Sequence, residues 1–205
     1  MPDPEFEATV SVDTAPGATL LETDRLILRR WKPDDAHELQ SIVNYPQVTQ
    51  NLSNRFPYPF TLQDAEACLE RWATMDVPAA YPTSLAICLK PEGDEAKPQL
   101  IGSMGLKPGE GIEYRTWWLG YFLTPSAWGK GLATEAMSAT IKWSFATWPK
   151  LNRVEASFYS GNTASERVLQ KSGLQKEGVR RGATEKNGIV QDDILYGVLR
   201  SDLGM

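Results

Sequence analysis

With 205 residues, 41% of them hydrophobic and 23% charged, the chain holds enough apolar material for one well-buried α/β core and requires no second domain. No apolar run approaches the roughly 18 residues of a membrane span, and a formal net charge of -5 opposes a nucleic-acid phosphate backbone. Cys68 and Cys88 lack metal-ligand spacing and His37 is the only histidine, so neither a zinc site nor a Ser-His-Asp triad can be built. The expectation is a cytoplasmic protein with no membrane or nucleic-acid partner; its mild acidity suits a cationic acceptor and equally serves solubility.

Residues 1-19 carry three prolines among acidic and small polar residues without periodicity, which predicts a flexible N-terminal arm ahead of a folded domain over 20-205. Alternation over Leu20 to Trp31 predicts a first strand. Pro33 opens a helix with Asp34 and Asp35 in its first turn and Ala36, Leu39 and Val43 on one face, ending at Tyr45-Pro46. An aromatic loop follows over 51-60, and Thr61 caps a second helix whose face is Leu62, Ala65, Leu69 and Trp72. Ser84 to Lys90 and Gln99 to Lys107 read as a hairpin around the polar turn at 91-94, and Thr116 to Thr124 as the next strand. Pro125 stops that strand, and apolar and small residues at helical spacing predict the longest helix over Leu132 to Trp148. A strand at Arg153 to Tyr159, a helix from Asn162 to Ser172 ended by Gly173, and strands at Leu174 to Val179 and Ile189 to Leu199 complete the chain. This order, β-α-α-β-β-β-α-β-α-β-β, predicts an α/β (α+β) domain: one mixed sheet of about seven strands with helices on both faces.

Chemistry concentrates in Trp128-Gly129-Lys130-Gly131-Leu132-Ala133-Thr134, between a strand and the longest helix. Two glycines let the backbone curl so that N-H groups at the helix start converge on one anion, with Lys130 adding charge. Two readings stay open on spacing alone: a diphosphate cradle, or a tight strand-to-helix turn. A dinucleotide fingerprint needs a third glycine where Thr134 stands, and a P-loop needs Ser or Thr after Gly-Lys; neither is met.

Leu119-Gly120-Tyr121-Phe122-Leu123-Thr124-Pro125, followed by Trp128 to Ala136, resembles the acetyl-CoA motif of the GNAT acetyltransferases, most closely their Rim-type branch. Gly131 and Ala133 fill the small positions of that motif, and Trp128 replaces its polar first residue. A second element, Asn162-Thr163-Ala164-Ser165 and then Lys171-Ser172-Gly173-Leu174, resembles the part of the family fold that meets the pantetheine arm, with Leu169 where many relatives carry a tyrosine acid. The resemblance spans about Leu20 to Leu203 and implies a single GNAT domain with a mostly antiparallel sheet. It implies acetyl-CoA as donor, with CoA as product, held by Phe122, Leu123, Thr124, residues 128-134, Asn162, Ser165 and Lys171.

The implied reaction is N-acetylation of a primary amine, a peptide N-terminus or a small molecule, by direct attack in a ternary complex. The alternative is a non-catalytic acyl-CoA-binding module, kept open by Leu169. An alkyl ammonium with pKa near 10.4 must lose a proton before attack. Asp192, Asp193 and Glu113 are candidate proton acceptors, and Tyr121 and Ser165 candidates for protonating or stabilising the departing thiolate; each has an alternative structural role. The acceptor pocket is expected from Phe56, Tyr58, Phe60 and Tyr159 with the turn near Gly182 to Gly188, although the same rings would also simply pack the loop. The chain is expected as monomer or homodimer.

Overall fold

The computed structural model describes residues 12-76, 82-91, 93 and 97-205. Eight strands form one sheet in the order β1-β2-β3-β4-β5-β6-β8-β7, namely β1 (Thr19–Glu22), β2 (Leu26–Arg29), β3 (Ser84–Leu89), β4 (Gln99–Pro108), β5 (Thr116–Leu123), β6 (Arg153–Tyr159), β7 (Gln175–Lys186) and β8 (Ile189–Leu199). Every neighbouring pair is antiparallel except β5 and β6. The helices are α1 (Ala36–Val43), α2 (Pro46–Thr49), α3 (Leu62–Asp76), α4 (Leu132–Thr147) and α5 (Thr163–Lys171).

Two boundaries differ from the sequence pattern for identifiable reasons. The expected first strand is a hairpin, β1-β2, folded at Thr23, where the side-chain oxygen accepts the Leu26 N-H at 2.9 Å and the Thr23 N-H donates to the Leu26 carbonyl at 2.9 Å. With no glycine or proline in that turn, the alternation runs on and hides it. The second difference is β7, which continues past Val179 to Lys186 through an irregularity between Arg180 and Thr184. The turn expected near Gly182 to Gly188 is therefore only Asn187-Gly188, with φ of 53° and 77°, the pair a two-residue type I′ hairpin requires. α3 begins as expected: the Thr61 hydroxyl accepts the Asp64 N-H at 3.2 Å while the Asp64 carboxylate accepts the Thr61 N-H at 2.8 Å. Of the expected arm, residues 1-11 and much of the hairpin turn at 91-94 lie outside the described residues. Val12 packs against the main core, and the Arg30 Nε donates to the Asp13 carbonyl at 2.6 Å.

The sheet has two unlike faces. α4 and α5 cover one, burying Leu28, Ile87, Met104, Leu119, Met137, Phe145, Val154 and Tyr196 in a continuous core. α1 and α3 cover the other over β2 to β5 only, where Leu39, Phe60, Leu69, Cys88 and Phe122 pack; that layer takes no described residue from β6, β7 or β8. Among the described residues, half of that face is thus left without a helix, beside β6. Cys68 and Cys88 are buried free thiols, and burial pushes both above the usual thiol range.

Trp148 closes the main core at the end of α4, its ring 4.6 Å from Trp117 and 5.0 Å edge-on to Trp143, with 1% of its surface exposed. Trp148→Ala is expected to cost about 3-5 kcal/mol in equilibrium urea unfolding. A loss under about 1 kcal/mol would show that this corner of the core collapses to fill the gap.

Candidate active site

The site begins where two strands part. β5 and β6 pair in parallel over Thr116↔Arg153, Trp117↔Val154 and Trp118↔Glu155, and there the register ends. Each strand keeps its outer neighbour, since β4 follows β5 up to Leu123 and β8 follows β6 up to Tyr159. The Thr124 N-H donates to Ile101 of the neighbouring segment at 2.8 Å, which fixes the phase of the β5 backbone. Alternation then turns the main-chain groups of Leu119, Tyr121 and Leu123 away from β4 and into the gap. A similar argument from the Ser160 N-H, which donates to Asp192 at 2.9 Å, faces the Ser157 and Tyr159 backbones into it from β6.

The top of this gap leads to the glycine turn. Gly129 and Gly131 have φ of 74° and 76°, left-handed positions that glycine alone occupies without strain, and an added Cβ at Gly129 would meet nothing within 4 Å. Gly131 is the N-cap of α4 and offers no side chain to cap it. The first intrahelical bond is the Glu135 N-H to the Gly131 carbonyl at 3.1 Å, and among the described residues no protein acceptor meets the N-H groups of Leu132, Ala133 and Thr134. A sixteen-residue helix therefore presents three uncapped amides and its positive dipole end beside the gap. The Trp128 indole N-H donates to the Leu123 carbonyl at 2.8 Å, tying the turn to the end of β5. Lys130 is exposed and Thr124 is buried at the entrance. A diphosphate fits this cradle: it is open and rich in amide donors.

Two of the candidate acids meet on the α4-α5 side. The Tyr121 hydroxyl donates to Ser165 Oγ at 3.3 Å, bridging β5 and the first turn of α5. Burial raises the Tyr121 phenol above its ordinary value, and the Ser165 contact offsets part of that rise. Asn162 caps α5, its side-chain oxygen accepting the Ser165 N-H at 3.1 Å, so it positions Ser165. Lys171 stands apart in the last turn of α5, about 13 Å along the axis from that cap, and is not brought to the gap.

The uncovered face carries the other groups. Phe122 points away from the gap into the α1-α3 core, 5.9 Å from Phe56, and its backbone pairs with Ser103 of β4, so neither its ring nor its main chain lines the gap. Phe60 is fully buried beneath Phe56 at 5.7 Å; it belongs to the core rather than to a pocket, because the loop folds one ring in to seat the next. Tyr58 is exposed and lines a cavity of about 300 Å³ with Pro46, Thr49, Gln50, Lys186 and Asn187. Lys186 closes that corner: its ammonium donates to the carbonyls of Ser53 and Phe56 at 3.2 Å each, and burial lowers its pKa. Tyr159 is half-buried opposite Asp193, and burial followed by the Asp193 charge raises its phenol. Asp193 is 2% exposed and accepts Arg180 at 2.6 and 2.9 Å.

Two carboxylates are not at the gap. Asp192 alternates to the face opposite Asp193 and accepts the Gly182 N-H at 2.8 Å, holding the irregularity in β7. Glu113 is exposed on the turn preceding β5, at least about 17 Å along that strand from Tyr121. Two groups that the sequence did not single out are at the gap instead. Glu155 and Trp118 form the last residue pair before the strands part, on the uncovered face, where Arg153 donates to Glu155 at 3.2 and 3.3 Å. Trp118 is 38% exposed and lies along the strand over Gly120, whose added Cβ would strike the indole at 2.4 Å. In sequence, a glutamate in an alternating strand is indistinguishable from a solvated face. Among the described residues no cluster of three or more metal-ligating side chains occurs, and no helix is long and apolar enough to cross a membrane.

Residues 25–175 match the family model of the acetyltransferase (GNAT) domain. The chain is 31% identical over 183 residues to the uncharacterized N-acetyltransferase YoaA of Bacillus subtilis, covering 88% of this chain and 97% of that protein. A GNAT-family acetyltransferase from Bacillus anthracis superposes with a TM-score of 0.73 at 22% identity, covering 88% of this chain and 98% of its own. Mycobacterium smegmatis RimJ, solved in complex with CoA-disulfide, superposes with a TM-score of 0.72 at 20% identity, covering 88% and 84%.

The Tyr121 phenol should ionise above its ordinary 10.0, and Ser165→Ala should move it higher still by removing the bond that favours ionisation. Ultraviolet difference titration against Tyr121→Phe reads this one phenol. A step at or below 10.0 would contradict the burial that the geometry assigns to it.

Proposed function

The chain belongs to the GNAT acetyltransferase family and is an N-acetyltransferase, and from that premise we propose that it binds acetyl-CoA in the β5-β6 gap and transfers the acetyl group directly to a primary amine. The observation that carries this reading is the uncapped start of α4, between two left-handed glycines, opening onto a gap lined by free β5 backbone. When bound, acetyl-CoA supplies an acyl group already activated as a thioester.

In this reading the amides of Leu132, Ala133 and Thr134 hold the diphosphate, with Lys130 beside them. The Leu123 N-H, nearer the diphosphate cradle, pairs with the pantetheine arm as an added strand would. The Tyr121 N-H, two residues deeper in the gap and nearer Glu155, faces the acyl oxygen and holds the negative charge that builds there during attack. Tyr121 donates its hydroxyl hydrogen to Ser165, which leaves the Ser165 hydrogen free to point at the departing sulfur. On the opposite face Glu155, at the closed end of the gap, accepts the proton of the acceptor ammonium through water. Tyr159 and Phe56 flank the amine with aromatic surface. Acid and base thus stand on opposite faces of the sheet, separated by the gap in which donor and amine meet.

Calorimetry should show binding of acetyl-CoA and CoA; binding of ATP alone would overturn the reading. Gly131→Glu is expected to abolish that binding, because it places a carboxylate in the diphosphate cradle. The strained φ of 76° should at the same time lower the melting temperature by about 2-8 °C. Unchanged CoA affinity would make the turn mere punctuation. In a thiol-release assay over amine and peptide panels, Ser165→Ala and Glu155→Gln should each lower kcat about 10²-fold. Full activity in both variants would show that neither handles the proton.

A further inference from the structure

The turn between β1 and β2 reaches across the chain onto the glycine turn. Arg25 places Nε 2.7 Å and Nη2 2.5 Å from Glu135 Oε2, and its Nη1 donates to the Lys130 carbonyl at 3.0 Å. The other carboxylate oxygen of Glu135 accepts the Thr23 hydroxyl at 2.5 Å and the Arg25 N-H at 3.1 Å. Every one of these contacts joins residues 23-25 to residues 130-135, more than a hundred positions away. Burial pushes the Glu135 carboxyl up, yet the bonds from Thr23 and Arg25 outweigh it and hold the group below its ordinary value, so it is ionised at neutral pH.

A carboxylate in the first turn of α4 suits the helix dipole but opposes a diphosphate at the same helix end. From this geometry, and resting on the acetyl-CoA reading above, we infer that Arg25 is a positioning residue for donor binding, acting on the cradle in two ways. The first is direction. In a trans peptide the C=O and N-H point opposite ways, so a guanidinium that fixes the Lys130 carbonyl towards β1-β2 aims the Gly131 N-H to the other side. The second is charge. The fork of Arg25 against Glu135 cancels the one carboxylate nearest the uncapped amides, so that their field and that of Lys130 act on the donor unopposed. Thr23 completes the device, since its hydroxyl oxygen accepts the Leu26 N-H and its hydrogen serves Glu135. The side chains of Arg25 and Glu135 are 49% and 19% exposed, so the pair alone adds little to folding stability and its effect belongs to binding.

The test is CoA affinity by calorimetry on the full chain for wild type, Arg25→Gln, Arg25→Lys, Glu135→Gln and the double variant Arg25→Gln/Glu135→Gln, with thermal melts alongside. Arg25→Gln should weaken CoA binding roughly tenfold or more by leaving Glu135 uncompensated beside the diphosphate. In turnover it should raise the KM for acetyl-CoA while kcat at saturation falls less than about threefold. Arg25→Lys, which keeps the charge and loses the fork, should fall between. The double variant should recover at least about threefold over Arg25→Gln, a rescue that a purely structural brace would not give. Arg25→Gln binding CoA within twofold of wild type, or a double variant no better than Arg25→Gln, would overturn the inference. Wild type failing to bind CoA would instead bring down the donor reading itself, and this inference with it.

Discussion

Everything at this site depends on a hydrogen-bond ladder that stops. Three residue pairs hold β5 to β6 in parallel, and beyond Trp118↔Glu155 the strands separate while each remains locked to its outer neighbour. Backbone N-H and C=O groups that face such a gap are obligatory hydrogen-bonding groups without a sheet partner, and they define a slot for an extended amide chain. Rigidity on either side matters as much as the opening. The sheet holds the two strands apart, with α4 and α5 packed over the main core on one face. The same parting places the glycine turn, because β5 runs directly into it and Trp128 ties it back to the Leu123 carbonyl.

The two faces of the sheet then divide the chemistry. Hydroxyls gather on the α4-α5 side, where Tyr121 meets Ser165 across the gap and a cap at Asn162 holds the helix start in place. Carboxylates stand on the uncovered side, Glu155 at the closed end of the gap and Asp193 buried beneath Arg180 beside Tyr159. The hairpin of β7 and β8 arches over that side and is fastened to the 51-60 loop through Lys186. In the proposed reading, an amine approaching from the uncovered face and a donor lying along the gap need cross no part of the core.

Much of this was legible in the sequence, and what was not shares a physical cause. Local signals read well: the glycine turn, the long helix after it, the Thr61 cap and the strand at Arg153 to Tyr159 all stand where short-range pattern puts them. Tyr121 and Ser165 were each legible as candidate acids, but their meeting was not, since the 44 residues between them carry no mark of contact. Phe60 shares its aromatic loop with Tyr58, and composition does not tell which ring turns inward. Asp192 and Asp193 are neighbours whose roles are separated only by strand phase and by an irregularity in β7. Arg25 reads as an ordinary residue of a first strand until the Thr23 turn brings it onto Lys130 and Glu135. The gap itself is a long-range feature that no short-range pattern in the sequence marks.

Amide hydrogen exchange with and without CoA reads, one by one, the N-H groups that a donor lying in the β5-β6 gap must occupy. That placement predicts that CoA slows exchange at Leu132, Ala133 and Thr134 and at Tyr121 and Leu123, while the β4-facing amides of β5, already bonded, change little. Binding of CoA with no added protection at the start of α4 or along the free edge of β5 would contradict it and place the donor elsewhere on the molecule.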